Sequence, residues 1–441
     1  MVVESAPIKV AGLIERGLLV INDGYRAKNS ELADHGLPFA RGGNIAGGFH
    51  FEDADRFPEE TLNRIGDKVS QPGDVVFTSK GTVGRFAFVT EETPRFVYSP
   101  QLCFWRSLDP NVIYPRWLFY WMQGGEFFSQ YAGVKGQTDM ADYVSLGDQR
   151  RMLITLPPVQ EQRRIAEILG ALDEKIELNQ RMNRLLVALG RAIFRAWFID
   201  FEPVKAKAGG RVFFPGMPQA VFNKLPDRFT EGDGDPIPIG WRVEPLSQFV
   251  ELFGGGTPKR NVPEYWGGHI PWFSVRDAPA EGDVWVIDTE DHITQAGIEN
   301  SSARLLRAGT TIISARGTVG RLALTGVPMA INQSCYGILG APGISDTFAY
   351  FTLHHAVEEL QQRTHGSVFD TITRDTFDVL RRVRPPSEII DAFERIAAPY
   401  LQLILTNVFE NRALVHIRDT LLPKLISGIF PASNKGAGDG R

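Results

Sequence analysis

An α+β architecture built twice from one plan is what this sequence predicts: two mixed α/β modules, each followed by one long helix. Three observations predict it. The string GTVGR occurs at Gly81 and again at Gly317. Other short strings recur around it, in the same order, at an offset of about 230 residues. Two apolar stripes with alternating steps of four and three each follow a Pro-Pro pair, the pattern of a coiled-coil seam.

Bulk composition sets the bounds. A chain of 441 residues with 43% hydrophobic and 22% charged residues is of ordinary globular composition and long enough for two or three domains. No apolar run reaches the roughly eighteen residues of a membrane helix, and the start MVVESAPIKV lacks a secretory pattern. A cytoplasmic protein with no membrane partner is expected. Two cysteines, Cys103 and Cys335, exclude a disulfide scaffold, and no Cys/His cluster has metal-ligand spacing. A net charge of −5 argues mildly against nucleic acid, without excluding a local basic surface.

The repeat orders the elements. PQLCF at Pro100 matches NQSCY at Asn332, DYVS at Asp142 matches DTIT at Asp370, and LPPVQEQRRIAEIL at Leu156 matches RPPSEIIDAFERIA at Arg384. Kept order points to duplication. Within each copy GDVVFTS (from Gly73) and GTTIISA (from Gly309) read as strands between turn signals. YPRWLFYWMQ and FAYFTLHHAVEEL read as helices packed on the sheet. The first long helix starts after Pro157 and Pro158, with its seam at Ile165, Leu169, Leu172, Ile176, Asn179, Asn183, Leu186 and Ile193. The second starts after Pro385 and Pro386, with its seam at Phe393, Ala397, Tyr400, Ile404, Asn407, Asn411, Leu414 and Leu421. The paired asparagines fall at matching places in the two copies. A buried Asn fixes register at a cost in stability; solvent-facing asparagines are the alternative. Residues 201–238, dense in Pro and Gly and without a period, read as a linker with a few anchoring aromatics.

No catalytic residue or metal ligand is nominated. A Walker loop, an HExxH motif and an [ND]PP[YF] loop are missing from the sequence. ELFGGGTPKR at Glu251 reads as a turn. Asp74 with Lys80 could suggest a nuclease pair, but Thr310 and Arg316 stand at those places in the second copy. Recognition is the remaining reading. In GTVGR the glycines allow a tight turn and close approach. Lys80 and Arg85, like Arg316 and Arg321 in the second copy, flank it with positive charge that suits phosphates; a plain hairpin turn with solvated arginines is the alternative. FARGGN at Phe39 adds Arg41 and Asn44, and its counterpart FSVRDA at Phe273 adds Arg276. Gln101 and Gln333, at matching places, complete the DNA-binding candidates.

LPPVQEQRRIAEILGALDEKIELNQ closely resembles the central region of type I restriction–modification specificity subunits. FRAWFIDFEPV (Phe194 to Val204), IPIGW before the second module and LLPKLISG (Leu421 to Gly428) fit the same pattern. The resemblance spans essentially the whole chain. Inside the modules it transfers fold and not residues. PPSEII departs from the pattern, leaving Glu161 and Gln162 without a mirror image. The resemblance implies target recognition domains at 1–156 and 239–384, related by a pseudo-twofold and held apart by two antiparallel helices. These are 157–200, the central conserved region, and 385–428, the distal conserved region; the tail 429–441 is expected to be disordered. Each domain would read half of a split, asymmetric double-stranded DNA site, with the spacer set by the helices. Two methyltransferase (M) subunits would dock on the helices and modify adenine with S-adenosylmethionine. Restriction (R) subunits would cleave DNA after ATP-driven translocation. S-adenosylmethionine, ATP and Mg would belong to those partners, and this chain would bind no cofactor and do no chemistry. Two other readings remain: an interaction scaffold without DNA, separable by salt-sensitive duplex binding, and a fused methyltransferase, against which the absent motifs argue.

Overall fold

The computed structural model describes residues 6–80, 84–134, 144–231, 235–279, 283–363 and 371–429. It divides into two compact units, Met1–Glu174 with Leu414–Arg441, and Lys175–Ala413. Gly81, Thr82, Val83, Asp142, Tyr143 and Asp370 from the repeated strings lie outside the described residues, as does the tail from 430 onward. Among the described residues no helix is long and apolar enough to cross a membrane.

In the first unit four antiparallel strands lie in the order Leu19–Asp23, Leu102–Ser107, Val75–Thr78, Phe86–Phe88. Val75–Thr78 reads VVFT and is buried throughout. A central strand covered on both faces shows no alternation, and β-branched and aromatic side chains fill it. A smaller sheet orders Arg56–Phe57, Leu37–Ala40 and Val97–Tyr98, the last pair parallel. Ile8–Lys9 pairs with Leu153–Ile154, so the two ends of the module meet in one ribbon. The helix Pro115–Trp121 packs Trp117, Leu118 and Trp121 on the sheet beside Trp105 and Phe127.

One charge pair sits inside this module. Arg106 donates from Nε to Asp74 Oδ1 at 2.6 Å and from Nη2 to Oδ2 at 2.7 Å, and Tyr98 donates its hydroxyl to the same carboxylate at 2.6 Å. Asp74 is 0% exposed. A buried carboxylate needs such saturation. Its partners are Arg106, Tyr98 and the Gln71 N–H, which donates to Oδ2 at 2.9 Å; Lys80 is exposed and not among them.

The second unit repeats the plan with one strand more in its main sheet. Its main sheet runs Val250–Gly254, Cys335–Gly340, Thr311–Ser314, Leu322–Thr325, with Trp285–Val286 added in parallel at the edge. The smaller sheet is His292–Ile293, Trp266–Phe273, Ala330–Ile331, again with one parallel pair. The closing ribbon is Arg242–Pro245 with Arg381–Arg384. Cys103 and Cys335 occupy equivalent strands, both buried and free.

The stretch 201–238 is more than a linker. It carries the helices Glu202–Ala208 and Gln219–Phe222, and Val204, Met217, Val221, Phe222 and Leu225 enter the core of the second unit.

Each long helix has 40 residues, Val159–Phe198 and Ser387–Ile426. Gln162 fastens the start of the first. It is 0% exposed, donates to the carbonyls of Val112 at 2.9 Å and Pro157 at 2.8 Å, and accepts the Tyr114 N–H at 2.8 Å. At the matching place in the second helix stands Ile390, buried with Ile389 in an apolar core. Packing there replaces the amide clamp.

The helices pair antiparallel within each unit. In the first, Arg418 donates to Asp173 at 3.0 Å, and Ile165 and Leu169 share a core with Leu422 and Leu425. In the second, Asn179 donates to Glu410 at 2.7 Å and Asn411 at 2.9 Å, and Asn407 donates to Asn183 Oδ1 at 2.8 Å. Asn179 and Asn183 are both fully buried. The hydrogen bonds from Asn179 and Lys175 hold the Glu410 carboxyl below its ordinary range.

The buried stripe departs from a strict heptad. Beyond Asn183 the first helix buries Val187, Gly190, Phe194 and Trp197, while Leu186 and Ile193 are half-buried. The steps from Asn179 are four, four, three, four, three. Two successive fours are a stutter, which resets the drift of a 3.6-residue helix against a 3.5-residue repeat. The second helix shows related shifts: Tyr400 and Leu421 are half-buried, and Leu401 and Leu422 take the buried places. Ile404 is fully buried, whereas Leu172, Ile176, Asn411 and Leu414 are half-buried.

The asparagine pairing yields a prediction. Asn407→Leu alone strands Asn183 Oδ1 in a buried site and is expected to cost about 1–3 kcal/mol. Asn183→Leu with Asn407→Leu removes both amides and is expected to recover part of that loss, Asp283 giving up the hydrogen bond it accepts from Asn183 at 3.1 Å. Thermal melting of the two variants checks it; a double variant melting below the single one would contradict a shared buried layer.

Candidate nucleic-acid interface

The nine nominated residues follow strand ends of the two sheets of their own module. In the first module Thr78 pairs with Leu102 and Phe77 with Phe86. Lys80, Gln101 and Arg85 therefore leave the same edge, and Arg41 follows directly on the strand Leu37–Ala40. In the second module Ser314 pairs with Cys335 and Ile313 with Leu322. Arg316, Gln333 and Arg321 leave the corresponding edge, and Arg276 follows the strand Trp266–Phe273.

Four of the first module's five candidates are knitted around Gly42. The Gly42 N–H donates to Gln101 Oε1 at 3.1 Å, and its carbonyl accepts Arg85 Nη1 at 3.1 Å. Asn44 Oδ1 accepts the Arg41 N–H at 2.8 Å, while its amide donates to the His50 carbonyl at 2.9 Å. Asn44 thus shapes the turn, as Asn side chains do when they bond nearby backbone. Arg41 lies 2.6 Å from Asp55 and over the Phe39 ring. Lys80 is exposed and in no ion pair among the described residues. The guanidinium edges and the Gln101 amide N–H groups are donors suited to phosphate and base-edge acceptors.

The second module places the same residue types in a different setting. Arg276 lies 3.0 Å from Glu290 and 3.6 Å from Asp291. Arg316 and Arg321 are exposed and outside any ion pair among the described residues. The Arg321 N–H donates to Ser314 Oγ at 2.8 Å, closing the turn that contains Gly317 and Gly320, at φ 77° and 83°. Such φ values favour glycine. Gln333 accepts from the Thr257 hydroxyl.

A loop that the sequence showed only as a turn joins this edge. Gly255 passes so close to the Asn332 carbonyl that a Cβ there would lie 2.0 Å from its oxygen, and Gly24 meets Ser99 at the same distance in the first module. Beyond Gly255, Arg260 stacks 3.8 Å from the Trp266 ring centre and 5.1 Å from that of Trp272. Its Nη2 donates to Asp291 at 2.8 Å and holds that carboxyl below its ordinary range. A signal was present. Gly24 to Lys28 and Gly255 to Lys259 match at an offset within one residue of that for Gln101 and Gln333.

Among the described residues no group of three or more His, Cys, Asp or Glu could hold a metal ion. The arrangement is a set of donors and cations on strand ends, suited to contacting a polyanion.

Comparison with known proteins bears on both modules. The family described as "Type I restriction modification DNA specificity domain" matches residues 17–186 and 238–389, once per copy. The HindI specificity subunit of Haemophilus influenzae, a type I restriction enzyme subunit, is 26% identical over 409 residues, covering 82% of this chain and 87% of that one. The MjaIX specificity subunit of Methanocaldococcus jannaschii is 25% identical over 209 residues, 47% of this chain and 48% of that one. The crystal structure of a type I restriction-modification system S subunit from M. genitalium superimposes with a TM-score of 0.57 at 14% identity, covering 95% of both chains.

Proposed function

Because the chain belongs to the type I restriction modification DNA specificity family, we propose that each of its modules reads one half of a bipartite, asymmetric site on double-stranded DNA. The carrying observation is that the nominated residues follow one end of the main sheet and of the parallel pair in the smaller sheet, in both copies. Two modules of one fold with different side chains at that edge suit two different half-sequences. Lys80 and Arg316 serve as backbone contacts. Gln101, Gln333 and the arginines near them supply donors for base edges.

The long helices are the proposed ruler for the unread spacer. At 40 residues each and ~1.5 Å per residue, they span about 60 Å. They are also the proposed dock for two methyltransferase subunits. Leu178, Leu185 and Leu189 are 56%, 71% and 44% exposed; steps of seven and four put them on one helix face. In this reading S-adenosylmethionine, ATP and Mg are held by the methyltransferase and restriction subunits. The chain itself recognises DNA and catalyses nothing.

The test is site selection from random duplex by the assembled complex, with affinity followed against salt. A bipartite motif with a fixed gap is expected. A single contiguous motif, or none, would overturn the reading. Lys80→Ala with Arg316→Ala is expected to leave the motif unchanged and reduce the slope of log affinity against log salt by about 0.9 for each phosphate left unneutralised. A loss confined to one base position would make either residue a base reader.

A further inference from the structure

The second module carries a clamp of two indoles and one arginine, where the described residues of the first module's edge show Arg41 over the single ring of Phe39. Trp272, 3% exposed, donates its indole N–H to the Gly256 carbonyl at 2.9 Å. Trp266 donates its own to the Lys259 carbonyl at 3.1 Å. The two rings meet edge to face at 5.1 Å, and Arg260 lies against both. The loop Gly254 to Arg260 is thus tied to indole donors at two points and closed by its own last residue. The equivalent loop after Gly24 is closed differently, by Tyr25 and the Lys28 N–H on the Glu31 carboxylate at 3.0 and 2.8 Å.

Arg260 is tied to its own module on two sides. One face of its guanidinium is covered by Trp266 and its Nη2 is taken by Asp291. Arg260 nonetheless keeps 55% of its side chain exposed; beside it stand Lys259, exposed, and Thr257, half-buried with its hydroxyl bonded to Gln333. Asp291 is also the second carboxylate near Arg276, 3.6 Å away.

We propose that Arg260 is a positioning residue for DNA recognition by the second module. Packed on Trp266 and Trp272 and paired with Asp291, it fixes the loop that presents Lys259 and the Thr257–Gln333 pair to the duplex. The proposal rests on the reading that this edge contacts DNA. Lysine cannot substitute, because an ammonium lacks the plane that stacks between two indoles and binds a carboxylate side-on.

The experiment uses the assembled complex with Arg260→Ala and Arg260→Lys, and random duplex as the probe. Both variants are expected to relax base preference in one half-site only and to weaken binding roughly two- to fivefold, the scale of a solvent-exposed cation–π contact. The salt slope is expected to stay at the wild-type value, because every phosphate keeps its cation. A slope reduced by about one in Arg260→Ala would make Arg260 a phosphate contact and overturn the proposal. So would full recovery by Arg260→Lys, or a lowered melting temperature with unchanged preference in both half-sites. Wild-type complex yielding no bipartite motif would instead fail the underlying DNA reading, and is seen before any variant is made.

Discussion

Exchanging residues 1–155 for the same region of a relative is expected to abolish recognition of one original half-site, create a new one, and leave the other half unchanged. The physical reason is closure. The ribbon Ile8–Lys9 with Leu153–Ile154 brings the ends of the first module side by side, so a graft needs only one small seam. At the start of the first long helix its polar attachment uses main-chain groups, and farther along Tyr120 donates to Asp173 at 2.6 Å and Arg116 to Glu174 at 2.8 Å. Gln162 bonds the carbonyls of Val112 and Pro157 and the N–H of Tyr114, and any module with the same backbone offers these. The apolar part is more demanding. Ile113, Trp117, Leu118 and Trp121 share a core with Ile165, Leu169, Leu422 and Leu425, and the donor must keep volumes there. The measurement is the methylated motif of cells carrying the exchanged complex. A change in both halves would show that the modules do not read independently.

Phe393→Ala is expected to cost the second unit about 3–5 kcal/mol. Phe393 is 0% exposed. Its ring centre lies 5.4 Å from Phe198, 5.5 Å from Phe351, 5.7 Å from Phe194, 6.2 Å from Phe348 and 6.3 Å from Trp197. Those rings come from the first long helix and from the helix Asp346–Arg363, so one side chain joins three elements. Such a cluster cannot collapse into the void without moving a backbone, which places the cost near the upper end for aromatic truncation. Calorimetry should show a fall on the order of 10 °C in the unit's melting temperature at a few degrees per kcal/mol. A shift below about 2 °C would mean that the helix pair is not held by this cluster.

Much of the fold was legible because duplication writes each element twice. VVFT and TIIS are short apolar runs that suit either strand or buried helix, yet their matching places beside GTVGR mark them as one element. Cys103 and Cys335 likewise locate equivalent strands. What was not legible has physical causes. Residues 201–238 fold onto the core through helices of seven and four residues, too short for a 3.6-residue period to register. The stutter is invisible in a seam drawn on strict heptads, since Leu186 and Val187 are equally apolar and only helix twist decides which is buried. At the candidate interface the charges were readable and their ties were not. Asn44 as a turn former, and Arg260 held by rings six and twelve residues onward, depend on through-space geometry that leaves no periodic trace.

The antiparallel helix pair has a consequence for synthesis. Asn183 and Asn407 are separated by 224 residues, and the whole second module lies between them. At roughly 5–20 residues per second the ribosome needs about 11–45 s to deliver the second asparagine after the first. For that interval the face bearing Val187, Phe194 and Trp197 has emerged while its partner helix has not been made. The nascent chain therefore passes through a stage in which a long apolar stripe stands uncovered, and it is then that a chaperone or a waiting subunit has the strongest claim on it.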